Sequence, residues 1–235
     1  MTIVPRILST TRFAQVYLAE TATYLPARVA TEALFGAAAS DLIRLTGVLE
    51  RPVAPPELAT SDLIIAAARP LPTAPDRVIV ATVTPDHPSP ATAPLVQHGL
   101  GLPHVPAFDV AAACAGFVYA LDLAARAITC GDREVLVAAG ECRFRTLEAA
   151  APGVRVLFGD GAAAARITAA PTSLRLLATG LGADGSGHAD EGRVAPKELP
   201  QRVALGFLPP EDHKPPLENL PDAPKPARLI RASDP

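Results

Sequence analysis

An α/β fold with a mostly parallel sheet is what this sequence predicts, and three observations predict it. Runs of β-branched and apolar residues recur through residues 77–168, each of strand length. Between them, residues 115–130 repeat their apolar side chains at helical spacing. Aromatics make up only 4% of the 235 residues, Trp is absent and 49% are hydrophobic, so the core must be built from Ala, Leu, Val and Ile. Helices that approach through Ala, over strands rich in Val and Ile, suit that composition.

"RVIVATVT" (77–84) reads as the first buried strand, and "PDHPSPATAP" after it as a loop whose prolines exclude regular pairing. "AFDVA" (107–111) is a second short strand. The helix at 115–130 places Phe117, Leu121, Ala124 and Ile128 on one face, with Gly131 as its stop. "EVLVAAGE" (134–141) is a third strand. "RVLFGDGAAAARIT" (155–168) reads as two strand segments broken at Gly-Asp-Gly, and "LRLLATGLGADGSG" (174–187) as a last strand and turn. Strand–helix alternation of this kind calls for crossover connections and parallel pairing. The pattern defines one domain over 1–190. Ten of the 26 prolines fall between 196 and 235, so residues 191–235 are expected to be an extended or disordered Pro-rich tail.

The formal net charge is −3 with no basic stripe, which argues against a nucleic-acid partner. No run of about 18 apolar residues predicts a membrane span, and "MTIVPRILSTTRFAQ" is a poor signal peptide. Three cysteines, Cys114, Cys130 and Cys142, lack metal-ligand spacing and fit free thiols in a reducing cytoplasm. No cofactor is implied.

Cys114 has the unusual setting. In "PAFDVAAACAGFVYALDLAARAITCG" (106–131) it stands where a strand gives way to a helix, flanked by Ala113, Ala115 and Gly116. A thiol reacts as its thiolate, and a helix amino end presents unpaired N–H groups and partial positive charge. Small neighbours leave room for a thioester to reach the sulfur. On position alone, a buried structural cysteine competes with the nucleophile reading.

The surrounding residues carry a resemblance. "FDVAAACAGFVYAL" resembles the active-site segment of the β-ketoacyl-ACP synthase III family, the initiating condensing enzymes of the thiolase superfamily. In the same order, "YLPARVAT" (24–31), "RLTGVLER" (44–51), "TSDLIIAAAR" (60–69), "VIVATVTPDHPSPATA" (78–93), "FGDGAAAA" (158–165) and "LGADGSG" (181–187) resemble further segments of that family. The resemblance covers about residues 20–190. It implies a thiolase-like chain with the N-terminal half of the αβαβα architecture, followed by a Pro-rich irregular tail. It implies an acyltransferase of fatty acid or polyketide biosynthesis in which Cys114 takes an acyl group from a thioester, with its own N–H as an oxyanion donor. Val83, Ser89 and Phe158 match acyl-binding positions. The implied partners are an acyl thioester on acyl carrier protein or CoA, and a ketosynthase-type chain in a homo- or hetero-oligomer.

Departures from the family pattern qualify that activity. The His and Asn that polarise the malonyl thioester have no matching motif: His87, His98, His104, His188 and His213 stand elsewhere, and the single Asn is Asn219. The chain is therefore expected to be incomplete for decarboxylative condensation alone. His104, which precedes the strand leading to Cys114, is the one histidine considered as a substitute. Asp41, Leu45 and Pro152 stand where the family holds CoA with a Trp and arginines, and Ser89 stands where a Phe usually closes the pocket. A serine there either leaves room for a longer acyl chain or reflects relaxed constraint. Two alternatives follow: a non-catalytic partner subunit of an intact ketosynthase, or an inactive truncated homologue.

Overall fold

A computed structural model of the chain describes residues 9–71 and 74–183. The Pro-rich segment, His188, His213 and Asn219 lie outside the described residues, as does the expected turn at 184–187. The chain opens with strands β1 (Ser9–Arg12), β2 (Tyr17–Tyr24) and β3 (Arg28–Ala30). Helices α1 (Thr31–Phe35) and α2 (Ala39–Thr46) lead to β4 (Glu50–Pro52) and α3 (Thr60–Ala68). Then come β5 (Arg77–Ala81), α4 (Thr92–Gly99), β6 (Ala107–Val110), α5 (Gly116–Thr129) and β7 (Glu134–Glu141). Two single-turn helices, α6 (Arg143–Thr146) and α7 (Pro152–Arg155), precede β8 (Gly161–Thr168), β9 (Leu174–Arg175) and β10 (Ala178–Leu181).

Six strands form the central sheet in the order β6-β5-β7-β8-β2-β9. Only β5–β6 and β5–β7 pair in parallel; β7–β8, β8–β2 and β2–β9 are antiparallel. The expected mostly parallel sheet is thus a mixed one. The reason lies in the connections: a parallel neighbour needs a full crossover, which α4 and α5 supply. Residues 142–160 hold only two single turns at one end of the sheet, so β8 returns antiparallel to β7. Pro152 occupies the first turn of α7, and the strand segment expected from residue 155 does not form: residues 152–155 are helical and 156–157 make a turn. The expected last strand divides in two. β9 extends the central sheet beside β2, and β10 pairs with β1 in a separate ribbon.

Side chains alternate across the sheet with period two. Val78, Val80, Leu136, Ala138 and Ala164 meet Leu63 and Ile64 of α3 and Val96 of α4 on one face. Ile79, Val135, Val137 and Ile167 meet α5 on the other. The α5 face keeps Ala124 and Ile128 as expected, with Leu121 partly buried, and departs from expectation at Phe117. Ala120, Ala124, Ala125 and Ile128 are buried against the sheet, while Phe117 is 37% exposed. Small residues form the contact stripe because they let the helix axis come close; the large side chain at 117 is turned outward. Gly131, at φ +118°, ends the helix as expected. Among the described residues, no helix is long and apolar enough to cross a membrane.

At the amino end of the parallel strands, Asp76 ties β5 to β7. Its carboxylate accepts the Arg133 N–H at 2.7 Å and the Glu134 N–H at 3.2 Å, with the Arg133 guanidinium at 3.3 Å. These bonds, that from the Arg133 N–H first, hold the Asp76 carboxyl below its usual pKa. A depressed carboxyl contributes stability above its unfolded pKa of about 3.9 and loses it as pH falls through the folded value. Asp76→Asn is expected to cost about 1–2 kcal/mol near neutral pH. In urea denaturation the penalty should shrink below about pH 4; an equal penalty at both pH values would refute the ionic origin.

Candidate active site

The carboxyl ends of β5, β6 and β7 open at one side of the sheet, where α/β folds characteristically place their ligands. Cys114 lies there. β6 ends at Val110, and Ala113–Ala115 form a 3-10 turn that runs directly into the 14-residue α5. Ala113 carries φ +46°, in the left-handed region that a side-chain-bearing residue enters at a cost of about 1–2 kcal/mol. That kink lifts the next residue out of the layer: Cys114 is exposed. Gly116 is buried, and a Cβ there would lie 3.2 Å from the Ala81 Cβ. The helix amino end is therefore pressed on the last residue of β5, two positions before Val83.

The other cysteines have different surroundings. Cys142 is buried and points its thiol at the Leu58 carbonyl, and burial pushes its pKa up. Cys130 is exposed at the far end of α5.

Carboxylates hold the loop that runs from Val83 to Ser89. Glu141, at the end of β7, accepts the Val83 N–H at 2.8 Å and the Thr84 hydroxyl at 2.6 Å. The Thr84 hydroxyl oxygen in turn accepts the Cys142 N–H, and its carbonyl accepts the Thr60 hydroxyl. Asp86 receives both the N–H and the hydroxyl of Ser61. Asp109 of β6 accepts the N–H groups of Thr92 and Ala93, each at 2.7 Å, and so caps α4.

Val83 and Cys114 thus follow adjacent strands, with Ala81 paired to Val110. Val83 is 42% exposed and Ser89 is exposed at the crest of the loop. Phe158 stands farther off, before β8 and beyond β7, half-buried with the Arg143 guanidinium 5.8 Å from its ring centroid. His104 does not join this group. It precedes β6 while Cys114 follows it, so a strand of about 10 Å separates them. His87 is exposed in the loop. Of the positions matched to carrier binding, Asp41 pairs with Arg44 at 3.2 Å on the surface of α2, Leu45 is 74% exposed and Pro152 begins α7.

Sequence reasoning missed Glu141 and Asp109. Each had a visible signal, an acid at the end of an apolar strand and an acid within one, because such a group needs donors.

Comparison with known proteins agrees with this fold. The 3-oxoacyl-[acyl-carrier-protein (ACP)] synthase III family matches residues 108–185. A 3-oxopimeloyl-[acyl-carrier-protein] synthase of Rhodothermus marinus is 39% identical over 187 residues, covering 75% of this chain and 54% of that protein. A β-ketoacyl-[acyl-carrier-protein] synthase III of Rhodopirellula baltica is 42% identical over 161 residues, 64% of this chain and 46% of that one. The crystal structure of 3-oxoacyl-(acyl carrier protein) synthase III from Pseudomonas aeruginosa superposes with a TM-score of 0.63 at 32% identity, over 68% of this chain and 52% of that chain. The chain spans about half the length of the curated relatives it matches. Its fold is the N-terminal half of a thiolase-like architecture. The chain belongs, within that superfamily, with the 3-oxoacyl-ACP synthase III proteins.

The strained backbone before Cys114 generates a stability test. Ala113→Gly admits φ +46° without steric cost and should raise the unfolding free energy by about 1 kcal/mol in chemical denaturation. A loss of stability would show that the left-handed turn is not what the folded chain adopts.

Proposed function

We propose that this chain carries the acyl-accepting half of a ketosynthase III-type condensing site, with Cys114 as nucleophile. The observation that supports it is the exposed Cys114 on a strained turn at the head of α5, beside the last residues of β5. The sulfur, as thiolate, attacks the carbonyl carbon of an acyl thioester. The oxygen takes up the negative charge, and the Cys114 N–H is the donor proposed for it. The C–S bond of the donor then breaks, its thiolate leaves and takes a proton, and the acyl group stays on Cys114 as a new thioester. No other cofactor enters this step.

Val83, Ser89 and Phe158 are proposed to line the acyl end. An exposed serine at 89 places no aromatic group across the opening, which favours longer or branched acyl chains. The donor is proposed to be an acyl carrier protein rather than CoA. Asp41 and Leu45 on the surface of α2 and Pro152 on α7 offer neither the cationic groups nor the stacking ring that a nucleotide would need. Condensation with a malonyl thioester needs a His and an Asn that no motif of this sequence matches. A ketosynthase-type partner chain, in a cytoplasmic homo- or hetero-oligomer, is proposed to supply them.

A non-catalytic subunit that shapes a partner's pocket is the second reading, and the same carrier positions favour it. Intact-mass spectrometry separates the two. After incubation with acyl-CoA and acyl-ACP donors, the chain should gain one acyl group, more from the carrier protein, and Cys114→Ala should gain none. A folded chain that stays unmodified with every donor would sink the nucleophile assignment and leave the subunit reading.

A further inference from the structure

Arg51, in β4, is 4% exposed, yet its Nε and Nη1 have no hydrogen-bond partner among the described residues. Only Nη2 is engaged, donating to the Thr31 hydroxyl at 3.1 Å. The guanidinium sits in the corner of two perpendicular rings, 5.2 Å from the centroid of Phe35 and 6.0 Å from that of Phe144. A second guanidinium, Arg155 of α7, lies 4.1 Å from the centroid of the same Phe144 ring, and its Nε is likewise buried and unpartnered.

Neither cation has an anion among the described residues. Glu50, adjacent to Arg51 in sequence, pairs instead with Arg28 at 2.7 Å. The buried Asp160 gives one oxygen to the Ala54 N–H and the other to the Phe144 N–H. Arginine does not escape by losing its proton. Stacking on an aromatic ring stabilises a cation by less than an uncompensated buried charge costs. Burial first, and the Arg155 charge second, pull the Arg51 pKa below its ordinary value. Two like charges over one ring, with three donor atoms that meet no acceptor among the described residues, lack a counter-charge of definite shape there. Guanidinium forks bind oxyanions through paired N–H···O bonds, and phosphate offers oxygens to two forks at once.

We infer that Arg51 and Arg155 form a binding site for a phosphate-class oxyanion, with Phe144 as the ring they share. The way in is through α7. Arg155 is only half-buried, and beside it Gly153 has nothing within 4 Å of where a Cβ would stand. The site is at the same end of the sheet as Cys114, because β7 ends at Glu141, opposite Gly161 at the start of β8. Two sources carry this chemistry: free phosphate, and the phosphate ester of a thioester carrier. The second source rests on the acyl-transfer reading; the anion site itself does not.

The test is thermal unfolding of the full chain in phosphate-free buffer, with inorganic phosphate added against chloride at equal ionic strength. A saturable rise of about 5–10 °C is expected at roughly a hundredfold excess over Kd. Arg155→Gln should abolish most of that rise, read against the variant's own midpoint in chloride. Arg155→Lys should retain part of it. Phosphorus-31 line broadening on the wild type reads binding without any variant. A rise no larger in phosphate than in chloride, or one undiminished in Arg155→Gln, overturns the proposal. CoA acting where pantetheine does not would identify a phosphate ester as ligand, and inorganic phosphate acting equally would identify the free ion. Pantetheine acting as well as CoA, with inorganic phosphate inert, would overturn phosphate recognition.

Discussion

The close approach of α5 to the sheet is the constraint on which the rest of the structure depends. Ala120, Ala124 and Ala125 face Ile79, Val135 and Val137, and Gly116 lies against Ala81. With no side chain longer than a methyl group along most of the stripe, the helix axis settles low on the strands. A helix at that height cannot be entered from β6 by an ordinary turn. The backbone must rise sharply between Val110 and Gly116, and Ala113 absorbs the change at φ +46°. Exposure of Cys114 is the geometric result. A larger residue at 116 or 120 would lift the helix, relax the turn and withdraw the sulfur from the mouth of the sheet.

Strain at one alanine persists only if the surroundings determine the turn more strongly than the alanine resists it. The carboxylates around the site meet that condition. Asp109 stands within β6, four residues before Ala113, and fixes that strand by taking two N–H groups of α4. Charge-assisted hydrogen bonds contribute about 1.5–3 kcal/mol each, so the pair outweighs the roughly 1–2 kcal/mol held in the turn. Glu141 does for the end of β5 what Asp109 does for β6, and both acids find donors before they meet any ligand. Clamping of this kind keeps two strand ends in fixed relation although the segment between them is rich in proline and holds no ladder.

Much of this was legible in the sequence, for identifiable reasons. β7 was read to its end residues because Val and Ala runs bounded by charged Glu134 and Glu141 have few other folds open to them. The junction at Cys114 was legible because small residues crowd one place between a strand and a helix. Strand direction was not. Periodicity reports that a segment is a strand and says nothing of whether the chain returns beside it from the same end or the opposite one. That depends on how much helix residues 142–160 form, and the single turn that Pro152 begins runs into residues 155–158, where the apolar run suggested a strand. The buried face of α5 was read correctly at Ala124 and Ile128 and misplaced at its amino end for a related reason. Hydrophobicity picked out Phe117, whereas close packing selected Gly116 and Ala120.

The chemistry divides along the same line as the packing. Accepting an acyl group asks for an exposed sulfur, N–H groups at a helix head and a wall to place the chain, and all of these come from backbone turns and apolar side chains on one end of one sheet. Driving decarboxylation asks for neutral donors aimed at a second thioester across the cleft from the sulfur. Among the described residues, β5, β6 and β7 present their carboxyl ends in one direction, and the histidine just before β6 lies at the opposite end of that strand. His104 illustrates the limit: it is close in sequence, but the length of β6 carries it to the wrong end. Under the proposed function, the described residues therefore hold the acceptor half of such a site, and the His and Asn of the other half are proposed to come from a partner chain.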